Sequence, residues 1–160
     1  GIENLPVYEA HEVLDGRAVP QGEICVIGGG LVGLETADAL ASAGHKVKVV
    51  EMKETAGEDL GSLRKIAVIQ KMQSLGVEII TKAVCKAICG KGVVTCQEER
   101  ETVVTCDSVV IAVGSRANDS TKLVAACEEL KIPYYIIGDA KKARRALDAI
   151  AEGYEAARSI

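Results

Sequence analysis

Apolar and polar positions alternate along this chain in two rhythms, and the switch between them divides it. From Glu23 to Thr81 short β-branched runs alternate with longer stretches whose apolar residues recur every three to four positions. Glu23–Ile27, Lys46–Val50 and Val77–Thr81 therefore read as buried strands. Leu34, Ala37 and Ala41 predict a helix from Leu31 to Ala43, stopped by Gly44. Leu63, Ile66, Met72 and Leu75 predict a second helix, capped by Ser62 and ended by Gly76. Then the rhythm shortens. Lys82–Ile88, Gly92–Gln97 and Thr102–Asp107 read as three hairpin-linked strands, with turns at Gly90-Lys91 and around Glu98–Arg100. Ser108–Val113 is a wholly apolar strand that ends at Gly114. A helix capped by Asp119 or Ser120 and running to Leu130 should follow, then a buried strand over Pro133–Ile137. A last helix over Lys141–Ile160 carries Ala143, Leu147, Ile150, Tyr154 and Ala157 on one stripe. That stripe must cover a sheet or a partner.

Between the first strand and its helix lies Gly28-x-Gly30-x-x-Gly33. The first glycine suits a tight turn, the second lets backbone approach a pyrophosphate, and the third lets helix lie close to strand. The amides that open the helix, Leu31 and Val32 among them, are unpaired donors at a positive dipole end, which suits phosphate. Glu51 stands 18 residues after Gly33, at the tip of the next strand, where a carboxylate can accept hydrogen bonds from an adenosine ribose. A 2′-phosphate there would meet like charge, so NAD(H) is favoured over NADP(H). Lys53, two residues on, works against that preference. The fold class is thus α/β: a Rossmann-like βαβαβ parallel sheet with helices on both faces, and a three-stranded antiparallel meander at 82–107 in place of one crossover. Residues 1–22, rich in turn formers, read as a lead-in arm rather than a folding unit; 23–118 form the nucleotide-binding domain, and 119–160 a connector with a final strand and helix.

Composition narrows the function. With 160 residues, 48% of them apolar, and no Trp or Phe, the core must be aliphatic, as a helix-covered parallel sheet requires. A net charge of −4 argues against a nucleic-acid partner, and no apolar run approaches membrane-spanning length. A soluble, cytoplasmic protein is the expectation. The six cysteines include no CxxC pair, which argues against a zinc site. They read as small core residues in a reducing compartment. A two-residue turn at Gly90-Lys91 would set Cys85 opposite Cys96, somewhat wide for a disulfide.

Four segments, VIGGGLVGLE at 26–35, VVEM at 49–52, VVIAVGSRAN at 109–118 and YYIIGDA at 134–140, resemble the pyridine-nucleotide oxidoreductase family of flavoproteins, in particular NADH:flavin oxidoreductases related to 2-enoate and 2,4-dienoyl-CoA reductases. The resemblance implies that Gly28, Gly30 and Gly33 hold NAD(P)H and that Glu35 helps shape the nicotinamide end. It also implies that Gly114 marks the return to a flavin domain, and that Gly138 and Asp139 match a motif whose aspartate binds FAD near its ribityl and phosphate groups. Ala117 departs from the proline common there. No earlier glycine fingerprint for FAD precedes residue 23. The resemblance therefore implies a non-catalytic fragment of a parent enzyme, which would itself pass hydride from NADH to FAD; a stand-alone nucleotide-sensing domain is the alternative. Residues 133–160 would then dock beside Ser108–Val113 as an extra parallel strand, or pack in a homodimer through the last helix.

Overall fold

A computed structural model describes residues 1–159, which fall into two units divided after Gly114. The first unit is built on five parallel strands: β1 (Val7–Glu9), β2 (Ile24–Ile27), β3 (Val47–Val50), β4 (Glu78–Ile80) and β8 (Ser108–Ile111), in the order β1-β8-β2-β3-β4. The helices are α1 (Ala10–Leu14), α2 (Leu31–Ser42) and α3 (Ser62–Ser74). Between β4 and β8 runs an antiparallel meander of β5 (Val84–Cys89), β6 (Gly92–Gln97) and β7 (Arg100–Thr105).

The period of two along each strand sorts the core into two layers. Ile24 and Val26 of β2, Val49 of β3 and Val110 of β8 pack against Leu34, Ala37 and Leu40 of α2 and Met72 of α3. Their neighbours Cys25, Ile27, Val50 and Val109 face the other way, onto Ile88, Val93 and Val104 of the meander. Each such aliphatic side chain, fully buried, contributes about 1.5–3 kcal/mol. The meander is therefore a structural layer. Helices, expected on both faces of the sheet, supply residues to one cluster only; the meander does their work on the other. Lys48 ties the layers at the rim, donating to the Thr105 carbonyl at 2.9 Å and pairing with Glu23.

Four expectations for the chain's edges and turns need correction. Residues 1–22 are part of the domain. Val7 lies in register with Val109, Pro6 accepts from the Val109 amide at 2.9 Å, and Ala10 is in the core. Because β8 is flanked by β1 and β2, no edge remains there for an extra strand from 133–137. Cys96 faces Val84, not Cys85, because an irregularity between Cys85 and Ala87 shifts the register. All six cysteines are free thiols. The α3 cap position is Gly61, with Ser62 already the first helical residue.

The second unit holds α4 (Thr121–Glu129) and α5 (Ala146–Arg158). Asp119, rather than Ser120, serves the start of α4, accepting from the Thr121 amide at 3.0 Å. Pro133–Ile137 is not a paired strand, and the last helix begins at Ala146, not Lys141. A single 3₁₀ turn at Gly138–Ala140 and an irregular stretch come first, so the basic residues at 141–145 precede the helix. Leu147, Ile150 and Tyr154 of the apolar stripe are 76%, 68% and 62% exposed. Among the described residues no helix is long and apolar enough to cross a membrane.

Candidate functional site

The sheet order reverses direction at β2, whose neighbours are β3 on one side and β8 on the other. Ligands of open parallel sheets bind beyond the carboxyl ends of strands at such a point. A groove of about 490 Å³ opens there, lined by Gly28–Val32, by Val50–Lys53, by Glu58 and Asp59, and by Ala112–Gly114.

The three glycines meet different demands. Gly28 sits at φ +107°, closed against Ala112, so a side chain would be strained in backbone and would strike the Ala112 carbonyl. Gly33 packs on the Gly28 carbonyl, which a Cβ would overlap. These two are required by the fold itself. Gly30 is not. It is the cap residue of α2 at φ −76°, and the nearest atom to a Cβ there would be Asp59 Oδ2 at 3.5 Å, an ordinary contact. Its missing side chain leaves backbone open toward the groove.

Glu51 is buried, at 7% exposure, immediately after β3. Its Oε2 accepts from the Gly29 amide at 2.6 Å and its Oε1 from the Lys53 amide at 2.8 Å. The carboxylate therefore ties the glycine turn to the end of β3. Each oxygen keeps acceptor capacity beyond the one backbone donor. The loop after it is pinned too, by the Gly57 amide donating to the Gly29 carbonyl at 2.7 Å and by buried Ala56 and Leu60. Lys53 pairs with Glu58 at 3.2 Å. Asp59 Oδ2 accepts from the Leu31 amide at 2.9 Å, at the first residue of α2. Three carboxylates and one ion-paired lysine thus ring the opening of the groove.

Residues 2–142 match the sequence profile of the pyridine nucleotide-disulphide oxidoreductases. The chain belongs to this family. It is 36% identical over 154 residues to a bilirubin reductase of Mediterraneibacter gnavus, covering 94% of this chain and 23% of that protein. It is 33% identical over 161 residues to an NADH oxidase of Thermoanaerobacter brockii, covering 99% of this chain and 25% of that one. Among solved structures, a 2-naphthoyl-CoA reductase in complex with 2-naphthoyl-CoA superimposes with a TM-score of 0.83 at 26% identity, over 97% of this chain and 24% of that one. This family member spans about a quarter of the length of the relatives it matches. The family binds pyridine nucleotide and flavin, and its relatives here are oxidoreductases.

The groove brings together Gly28, Gly30, Leu31, Val32, Glu51, Lys53 and Gly114, with Gly33 supporting them from α2. Glu35 is not among the lining residues; on α2, it pairs with Arg64 of α3 at 3.1 Å. Gly138 and Asp139 belong to the second unit. There the Gly138 amide donates to Glu152 Oε2 at 2.7 Å, and Arg144 Nη2 meets Glu152 Oε1 at 2.5 Å. Arg144, the Gly138 amide and Lys141 together hold the Glu152 carboxyl down to about 2. Gly138 is at φ +59°, where a Cβ would crowd Ala149 at 3.1 Å. Glu58 and Asp59 escaped the sequence reading, since neither forms part of a spacing motif. A polar, glycine-flanked segment directly after Glu51 was the available signal.

Proposed function

We propose that this chain is the NAD(H)-binding portion of an NADH-dependent flavin oxidoreductase. The observation that carries the reading is the joining of Glu51 to the glycine turn at the switch point of the sheet. One buried carboxylate fixes the turn whose amides face the groove and keeps acceptor capacity at the end of β3. The residues fit a dinucleotide: amides at the opening of α2 for the pyrophosphate, Glu51 for the adenosine ribose, and Gly114 for close approach from β8's side. NADH is the preferred form, because the one lysine lining the groove already answers to Glu58 and a 2′-phosphate would add to a carboxylate-rich rim.

When bound, NADH supplies a hydride for a flavin held elsewhere in the parent enzyme. This chain's own residues bind and orient the donor. In the parent enzyme Glu35, paired with Arg64 and outside the groove's lining, would lie toward the nicotinamide end, and Gly138 and Asp139 would stand on the flavin's ribityl and phosphate side. A quarter-length match to each curated relative supports the reading of this chain as one part of a larger enzyme. The test is a fluorescence titration of the purified chain with NADH and with NADPH, FAD serving as control. Saturable binding of NADH with weaker NADPH is the expected result. Equal or tighter NADPH binding would reverse the assigned preference, and no binding by the folded chain would overturn the reading.

A further inference from the structure

We propose that Glu58 tunes the choice between NADH and NADPH by holding the Lys53 ammonium away from the ribose position of the groove. The proposal rests on the nucleotide reading above and adds a residue that sets its specificity. Among the described residues Lys53 is the one cation lining the groove. Its amide donates to Glu51 Oε1 at 2.8 Å, so its backbone stands beside the ribose-side carboxylate. A lysine there is placed to meet a 2′-phosphate. Its ammonium, however, pairs with Glu58 at 3.2 Å. Both ends of that pair are anchored through the backbone. Lys53 is fixed by its bond to Glu51. Glu58 follows Gly57, whose amide donates to the Gly29 carbonyl at 2.7 Å, and buried Ala56 and Leu60 hold the loop on either side.

The same loop repeats the arrangement outside the groove. Lys82, just after β4, donates its amide to the Lys53 carbonyl at 2.8 Å, and its ammonium pairs with Glu54 at 2.8 Å. Neither Glu54 nor Lys82 lines the groove. The segment after Glu51 thus sets one glutamate against each of two neighbouring lysines. A 2′-phosphate carries close to two negative charges at neutral pH and would stand near Glu51. To answer that charge Lys53 must leave Glu58, which then remains at the rim as one more like charge. NADH has no 2′-phosphate and leaves the pair closed. An exposed ion pair is weak, so Glu58 adjusts a preference whose larger part comes from Glu51.

The wild-type chain, Glu58→Gln, Glu54→Gln, Lys53→Ala and the double variant Lys53→Ala with Glu58→Gln are titrated with NADH and with NADPH at one ionic strength. Circular dichroism confirms that each is folded. Glu58→Gln is expected to raise NADPH affinity relative to NADH about 2- to 5-fold, the span of one exposed ion pair. Glu54→Gln removes the same charge from the same loop and should leave the ratio at its wild-type value. In the Lys53→Ala background Glu58→Gln should move nothing, because the lysine it would release is gone. An unmoved ratio in Glu58→Gln, an equal rise in Glu54→Gln, or a rise that survives without Lys53 would overturn the proposal. Each of those results leaves the nucleotide reading standing, since the nucleotides still bind. Failure of both nucleotides to bind any of the folded proteins would overturn that reading and this proposal with it.

Discussion

Replacing Glu51 with alanine should weaken both the fold and the nucleotide site, and the structure says by how much each. In the wild type two short bonds, 2.6 Å from the Gly29 amide and 2.8 Å from the Lys53 amide, end on a carboxylate that is 7% exposed. Bonds to a charged acceptor contribute about 1.5–3 kcal/mol each, and losing one partner leaves a buried donor unsatisfied. The Gly29 amide is the buried one. The Lys53 amide is only partly buried and can turn to water at smaller cost. The expected loss of unfolding free energy for Glu51→Ala is therefore about 2–4 kcal/mol, below the sum of two full bonds. Glu51→Gln keeps one oxygen but sets an amide donor against a backbone N–H, so about 1.5–3 kcal/mol should go. Urea unfolding measures the stability, and NADH titration of the folded variants measures the site. NADH affinity should drop at least tenfold in Glu51→Ala, since the glycine turn loses its tether and the ribose its acceptor. Wild-type affinity in a destabilised Glu51→Ala would show that the carboxylate does not face the ribose. An unchanged unfolding free energy would refute the tether.

Three further expectations follow from the same geometry. Gly33→Ala drives a Cβ into the Gly28 carbonyl and should cost about 1–3 kcal/mol or more, whereas Gly30→Ala should cost under about 1 kcal/mol while abolishing NADH binding; urea midpoints and titrations of the pair check the split. Removing residues 1–9 strips β1 from β8 and uncovers Ala10, so the truncated chain should unfold at markedly lower urea, and an unchanged midpoint would mean that the arm is dispensable. In the second unit the Glu152 carboxyl is held below its ordinary value of 4.5, at about 2, so its contribution is fully present above 4.5 and is lost as pH falls toward 2. The protection of the Gly138 amide, taken as its exchange rate relative to the intrinsic rate at each pH from 6 down to 2, should fall across that window; flat protection would show that the Glu152 contact does not hold the turn.

Much of the site was legible because its residues obey local rules. Gly28 had to be glycine for its turn and Gly33 for its packing, and the structure places each against the carbonyl that makes it so. Glu51 was found by its distance from the glycines, yet its burial and its two backbone partners were not, because they depend on where the turn folds back. The strands and helices of 23–113 fell within a residue or two of their apolar runs. What failed was non-local. β1 is three residues long, too short for a period to show, and gains its identity only by pairing with β8, some hundred positions away. Pro133–Ile137 has the composition of a buried strand but no strand beside it among the described residues. Cys85 missed Cys96 because one irregular residue resets a register that counting from the turn assumes constant.

The most direct measurement follows the backbone amides of an isotopically labelled chain by NMR as NADH is added. The account predicts saturable shifts concentrated at Gly29, Gly30, Leu31 and Val32, with a second group at Glu51 and Gly114, all reporting one dissociation constant. Shifts centred instead on Gly138 and the second unit, or none at the glycine turn, would contradict it.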